Sequence, residues 1–197
     1  MPPEPAAGAP ELIEAFQRAI DTLEGAAARY ALIGGLAVAR HGVVRPTRDV
    51  DLLIAVEKVR LPALLEAFHA AGFALDLSAV VKRLTHDGLA QISYGKTPLD
   101  LLTPILPYFG DVVRRARRES ILGREPFVAI PEDVVVLKAI AMRSGDRQDI
   151  SGILAAQAGR LDLSLIRRGA DALLPPGEPR RAALEEMLRD YGTPKNP

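Results

Sequence analysis

The stretch ALIGGLAVARHGVVRPTRDVDLLI, residues 31–54, decides the fold. Its first three residues belong to a short apolar run, Tyr30–Ile33. This run predicts a buried strand that ends at the turn residues Gly34 and Gly35. A short helix is expected after the glycines. Asp49–Val56 is apolar and rich in β-formers apart from two aspartates, so it predicts a second strand.

The two aspartates, Asp49 and Asp51, are the unusual feature of that second strand. Side chains two positions apart point to the same face of a strand, with Cα atoms about 6.5–7 Å apart. Two carboxylates on one apolar face repel each other and resist desolvation, unless a divalent cation lies between them. Oxygen ligands at this spacing favour Mg²⁺ or Mn²⁺ over Zn²⁺. The alternative is that both side chains lie in water near the strand end.

Two further features extend this acidic pair. Glycines such as Gly34 and Gly35, between a strand and a helix, allow a phosphate to approach the backbone closely. Asp100 interrupts the apolar run Leu99–Leu102, which predicts a strand paired with Leu89–Tyr94. Three carboxylates on two strands can hold two metal ions, as an in-line displacement of pyrophosphate requires.

The order of these motifs resembles the DNA polymerase β-type nucleotidyltransferase superfamily: Gly-Gly, then RPTRDVDLL, then a single aspartate in a later strand. The resemblance implies that Gly34 and Gly35 bind the triphosphate of an NTP. It also implies that Asp49, Asp51 and Asp100 are catalytic and bind two Mg²⁺ ions. One departure is that the superfamily often has serine as the second turn residue.

A second motif, EDVVVLKAIAMRSGDRQDI at residues 132–150, resembles the AbiEii-like branch of toxin-type nucleotidyltransferases. The matching residues are Lys138, Arg143, Asp146, Arg147 and Asp149. The resemblance implies that Lys138, Arg143 and Asp149 bind the nucleotide, with Lys138 reaching the phosphates. The alternative for Lys138 is a lysine that snorkels at a helix edge. Asp146 is also suited to cap a helix after the break at residues 144–145.

Two groups of basic or polar residues leave the choice between function and structure open. Arg45 and Thr47 precede the aspartate pair and are candidate nucleotide ligands, or parts of a solvated turn shaped by Pro46. A basic cluster lies on a helix predicted over Phe109–Glu119. It forms either a solvated face or an RNA-backbone contact. Its members are Arg114, Arg115, Arg117 and Arg118.

Helices mixed with antiparallel hairpins predict an α+β fold, and the resemblance implies a nucleotidyltransferase-type mixed sheet with flanking helices, followed by a C-terminal helical region. Residues 11–130 form the α/β core, and residues 131–191 form the helical region packed on it, which begins at Pro131. Residues 1–10 and 192–197 are expected to be disordered tails. Between Val80 and Thr103 we expect short strands, with turns at residues 87–88 and 95–96. Phe73–Leu77 is another candidate strand.

Composition narrows the class of protein. The 197 residues carry 25 basic and 25 acidic side chains, so the chain does not bind polyanions through overall charge. It has no cysteine, which excludes disulfides, thiolate metal sites and cysteine nucleophiles. No apolar run reaches the roughly 20 residues of a membrane span. We therefore expect a cytoplasmic protein without a membrane partner.

These observations predict a metal-dependent enzyme that moves an NMP from an NTP to an acceptor, and the AbiEii-like resemblance implies that the acceptor is an RNA, such as tRNA, or a protein. The AbiEii-like resemblance also implies the toxin of a toxin–antitoxin pair and hence a cognate antitoxin. One alternative is an aminoglycoside-type transferase that modifies a small molecule, because its motif also pairs Gly-Gly with D-x-D. Another is a non-catalytic module that binds a nucleotide or a partner, but the three intact aspartates argue against it.

Overall fold

The computed structural model describes residues 9–192. Within these residues the chain forms a six-stranded sheet flanked by helices. The strands are β1 Arg29–Ile33, β2 Val50–Ala55, β3 Leu89–Tyr94, β4 Thr97–Leu102, β5 Arg117–Arg118 and β6 Phe127–Val128. The helices are α1 Ala9–Gly25, α2 Gly34–Arg40, α3 Leu61–Ala70, α4 Leu77–His86, α5 Pro107–Arg115, α6 Pro131–Ala141, α7 Ser144–Ala156, α8 Leu163–Leu173 and α9 Pro179–Gly192, with a 3₁₀ turn at Lys58–Arg60.

The sheet is mixed, and its strand order is β3-β4-β2-β1-β6-β5. The pairs β1–β2, β3–β4 and β5–β6 are antiparallel, whereas β2–β4 and β1–β6 are parallel. The two central strands, β1 and β2, are covered by helices, which explains their nearly continuous apolar sequence. The fold class predicted from the sequence is confirmed.

The core lies where α1 and the C-terminal helices pack against the sheet. The apolar positions of α1 recur at helical spacing, and Phe16, Ile20 and Leu23 are at most 2% exposed. In α6, Val134 and Val135 are almost fully buried. Within residues 9–192 no helix is long and apolar enough to cross a membrane.

Helix α4 replaces the short strand and first hairpin that we predicted after residue 73. Val80 and Leu84 are buried four positions apart on one face of this helix, and Asp76 caps its start by accepting a hydrogen bond from the Ala79 amide. Asp87 then ends the helix, so residues 87–88 are no hairpin turn. Of the candidate strand Phe73–Leu77, only an isolated bridge at residue 74 forms. The second predicted turn, between β3 and β4, is confirmed.

The basic cluster does not lie on a single helix, because α5 ends at Arg115. Arg117 and Arg118 instead form β5, which pairs with β6. Arg115 is held by the buried Asp133, with its Nη2 2.7 Å from Asp133 Oδ1. The cluster is therefore divided between two elements, and part of it is used in internal ion pairs.

The described chain is helical from Pro131 to Gly192, and α6 and α7 pack against each other. Helix α7 begins at Ser144, so residues 144–145, expected to break the helix, form its first turn. Two of the residues assigned to the N-terminal tail already belong to α1, which begins at Ala9. The remainder of both predicted tails lies outside the described residues, apart from Gly192 at the end of α9.

Candidate active site

Three aspartates meet on one face of the sheet, where β2 begins. Asp49 lies immediately before β2, Asp51 lies in β2, and Asp100 is its paired residue on β4. One carboxylate oxygen from each residue lies within 4.8 Å of the others, and all three side chains are partly exposed. These residues offer only hard oxygen donors, so the donor set fits Mg²⁺ or Mn²⁺.

Asp51 is the most perturbed of the three carboxylates. Burial, and after it the negative charges of Asp49 and Asp100, raise its pKa from 3.8 to about 6. Lys138 and a hydrogen bond from the Gly35 amide oppose this shift. A divalent cation among the three carboxylates would remove the repulsion.

The Gly34-Gly35 turn lies directly against these acids, because the last residue of β1, Ile33, pairs with Asp51. Gly34 has a φ of +64°, and a Cβ at this position would lie 1.8 Å from Asp51 Oδ2. A Cβ at Gly35 would lie 2.4 Å from Thr47 Oγ1. Both positions therefore require glycine.

The aspartates and the glycine turn line a cleft of about 820 Å³. Its opposite wall is formed by the end of α6 and the start of α7, including Lys138 and Arg143. A third part of the lining is apolar and consists mainly of Leu102, Phe109 and Leu137. The cleft thus combines an acidic floor, a basic side and an apolar side.

A network of ion pairs holds the basic side of the cleft. Lys138 Nζ lies 3.0 Å from Asp146 Oδ1 and 2.9 Å from Asp149 Oδ2. Arg45 donates two hydrogen bonds to Asp149, of 2.7 and 2.9 Å. Burial opposes the charge on Lys138, but its bonds to the two aspartates outweigh burial and raise its pKa. Burial also opposes the charge of Asp149, yet Arg45 and Lys138 lower its pKa. Lys138 and Asp149 are therefore charged at neutral pH.

Most of the predicted nucleotide ligands face the cleft. The cleft is lined by Gly34, Gly35, Arg45, Thr47, Lys138 and Arg143. Asp149 is not part of the lining, because its side chain is 1% exposed and lies behind Lys138 and Arg45. The geometry gives Asp149 contacts with these two cations and none with the cleft. Asp146 is the third residue of α7, not its cap, and accepts a hydrogen bond from the Arg143 amide.

Sequence reasoning missed two polar partners of the site. Gln91 pairs with Asp100 across the β3–β4 hairpin and donates a 2.7 Å hydrogen bond to Asp100 Oδ1. Arg48 lines the cleft beside Thr47. The hairpin turn at residues 95–96 was itself visible in the sequence, so counting back from it would have placed Gln91 opposite Asp100.

Several solved structures are similar to this chain, although no family model and no curated protein matches it. The solution structure of the antibiotic-resistance factor ANT(2'')-Ia is similar, with a TM-score of 0.57 and 14% identity over 91% of this chain and 97% of that one. The crystal structure of ANT(2'')-Ia with adenylyl-2''-tobramycin gives a TM-score of 0.56 and 12% identity over 88% of this chain and 97% of that one. The crystal structure of JHP933 from Helicobacter pylori gives a TM-score of 0.51 and 15% identity over 93% of this chain and 91% of that one.

The chain has the nucleotidyltransferase fold. At these low identities the similarity concerns the fold alone, and it extends over nearly the full length of each neighbour. The AbiEii-like assignment stays a prediction.

Proposed function

We propose that this protein is a metal-dependent nucleotidyltransferase that moves an NMP from an NTP to an acceptor hydroxyl. The observation that carries the proposal is the convergence of Asp49, Asp51 and Asp100 beside a glycine turn at the floor of a cleft. Like charges at this distance are costly without a cation, and a tight glycine turn next to them leaves room for phosphates.

The residues of the cleft have different roles in the proposed reaction. The three aspartates would hold Mg²⁺ or Mn²⁺. When bound, these ions make the acceptor hydroxyl easier to deprotonate and offset the charge on the pyrophosphate. Lys138 and Arg45 would attract the phosphate groups and orient the NTP. The acceptor oxygen attacks the α-phosphorus, the bond from that phosphorus to the β-phosphate oxygen breaks, and pyrophosphate leaves.

The acceptor that the cleft favours is an RNA, such as the 3′ end of a tRNA. Arg143 is 84% exposed, and Arg48 is exposed and makes no ion pair within residues 9–192. Such cations at the rim attract a polyanionic acceptor. They would repel an aminoglycoside, which is polycationic. A protein hydroxyl is a further candidate for this enzyme.

A small-molecule acceptor is the second candidate function. The observation that favours it is the similarity to ANT(2'')-Ia, a protein whose complex contains adenylyl-2''-tobramycin. For the RNA-modifying enzyme we further propose a cytoplasmic role as the toxin of a toxin–antitoxin pair, supported by the AbiEii-like motif at residues 132–150. A cognate antitoxin would then neutralise it.

The test incubates the protein and Mg²⁺ with each α-³²P-labelled NTP, and separately with total tRNA, with lysate protein, or with tobramycin. We expect labelled tRNA with one or two of the NTPs and no label with Asp51→Asn. Label on tobramycin alone would establish the second candidate. If calorimetry detects NTP binding but no acceptor becomes labelled, the chain is a binding module and the proposed activity is wrong.

A further inference from the structure

The connection between α2 and β2 carries much of the candidate site but has no regular structure of its own. This 42–49 loop, residues 42–49, holds Arg45, Thr47 and Asp49. Thr47 Oγ1 donates a 2.8 Å hydrogen bond to Asp49 Oδ1, so the position of the loop sets the position of one carboxylate of the acidic cluster. An unsupported loop would not hold a metal ligand to the accuracy that metal binding needs.

The support comes from one face of α7. Asp149, Gly152 and Ala156 follow each other at spacings of three and four residues, so they lie on the same side of this helix. Each contacts a successive part of the chain that leads into the acids. We call these three residues the docking face.

The contacts at the docking face are close. Arg45 makes its two hydrogen bonds to Asp149 at one end. In the middle, a Cβ added to Gly152 would lie 2.5 and 3.2 Å from the two methyl groups of Val43. At the other end, a Cβ added to Gly42 would lie 2.6 Å from the Cβ of Ala156. The loop and the helix therefore meet with no space for an additional methyl group.

We propose that the docking face of α7 positions the metal ligand Asp49 and the phosphate-binding residues of the 42–49 loop. Gly152 is then a positioning residue, because any side chain there pushes Val43 and the loop away from the helix. This inference rests on the proposed function. It assigns to α7, which lies in the C-terminal helical region, a role in metal affinity although Gly152 touches neither metal nor nucleotide.

The test is Gly152→Ala, with Gly152→Ala/Val43→Ala as the rescue variant. Alanine is the better helix former, so α7 itself gains helix propensity from the change. The matched control is Gly110→Ala in α5, where an added Cβ meets nothing nearer than 4.0 Å.

Two measurements are needed, neither of which depends on turnover. Electron paramagnetic resonance gives the affinity for Mn²⁺ alone, and hydrogen exchange gives the protection of amides in the 42–49 loop. In Gly152→Ala we expect Mn²⁺ affinity to fall about ten- to a hundredfold and loop exchange to accelerate. Removal of the Val43 methyl groups in the rescue variant should bring Mn²⁺ affinity back to within about threefold of wild type.

The outcomes separate this inference from the proposed function. Wild-type protein that binds no Mn²⁺ overturns the metal-dependent function. Wild-type protein that binds Mn²⁺ while Gly152→Ala binds it equally well overturns the positioning role alone. Loss of affinity in Gly152→Ala without rescue by Val43→Ala also overturns it, because the effect would then come from elsewhere.

Discussion

Asp51 and Asp100 are paired residues on the neighbouring parallel strands β2 and β4. Paired positions on adjacent strands point to the same side of a sheet, so this register places both carboxylates on one face. Asp49, two residues before Asp51, reaches the same point. The acidic cluster is therefore a consequence of strand register, and its chemistry can be tested residue by residue.

Asp51→Asn should abolish nucleotide transfer while preserving the fold. The change keeps the shape of the side chain but removes one ligand charge. Metal ions stabilise the transition state by several kcal/mol, so we expect the rate to fall by several orders of magnitude. In the presence of chelator the variant should melt at or above the wild-type temperature, because one of three crowded like charges is gone.

The matched control for this substitution is Glu66→Gln, an equivalent carboxylate-to-amide change at an exposed position of α3. It should leave transfer and melting temperature unchanged. If Asp51→Asn is expressed in cells and remains as toxic as wild type, or transfers label at the wild-type rate, the acidic cluster is not catalytic.

The contribution of Asp51 to the stability of the metal-free protein should become less favourable as pH rises from about 4 to 6. Burial, together with the charges of Asp49 and Asp100, raises the pKa of Asp51 from 3.8 to about 6, so this residue binds more protons in the folded state than in the unfolded state in this range. Its contribution to the free energy of unfolding then falls with pH, by about 3 kcal/mol once the group is ionised above pH 6. Asp51→Asn lacks the effect. Melting curves in chelator should therefore show the variant's advantage growing between pH 5 and pH 7, and a constant difference would contradict the raised pKa.

Lys138→Ala should weaken NTP binding. Its ammonium group lines the cleft and is held by two aspartates, which keep it charged. Loss of a charged hydrogen bond to phosphate costs about 1.5–3 kcal/mol, or roughly ten- to a hundredfold in affinity. Titration calorimetry with an NTP and Mg²⁺ measures this, and Lys82→Ala, at an exposed position of α4, is the control. Equal affinity in Lys138→Ala would assign the lysine to structure alone.

Gly34→Ala should damage the metal site far more than backbone strain explains. Gly159 provides the comparison, because it has a similar positive φ of +74° but no atom within 4 Å of an added Cβ. Gly159→Ala should cost about 1–2 kcal/mol of stability and leave Mn²⁺ binding intact. Gly34→Ala adds a collision with Asp51 and should eliminate Mn²⁺ binding. Similar behaviour of the two variants in Mn²⁺ titrations would argue against the close approach.

The sequence predicted the central strands and the residues that share their faces. Apolar runs located β1 and β2, and the two-residue spacing of Asp49 and Asp51 gave their common direction. It did not predict α4, because the β-branched residues Val80, Val81 and Thr85 in this short helix favour a strand by local propensity. It also overextended α5, since the basic residues after Arg115 have good helix propensity but pair with β6. Tertiary pairing overrides local propensity at such positions.

What the sequence determined by itself is the set of chemical groups and their order within each element, because helix and strand periodicity act over a few residues. Only the tertiary structure decided which distant groups meet. Arg45 and Asp149 are 104 residues apart in the chain, and no local pattern indicates that they form a bidentate ion pair. Likewise, no local pattern indicates that Val43 packs against Gly152. Such contacts depend on how the C-terminal helices pack against the sheet, and this packing places Asp149 behind the cleft and not in it.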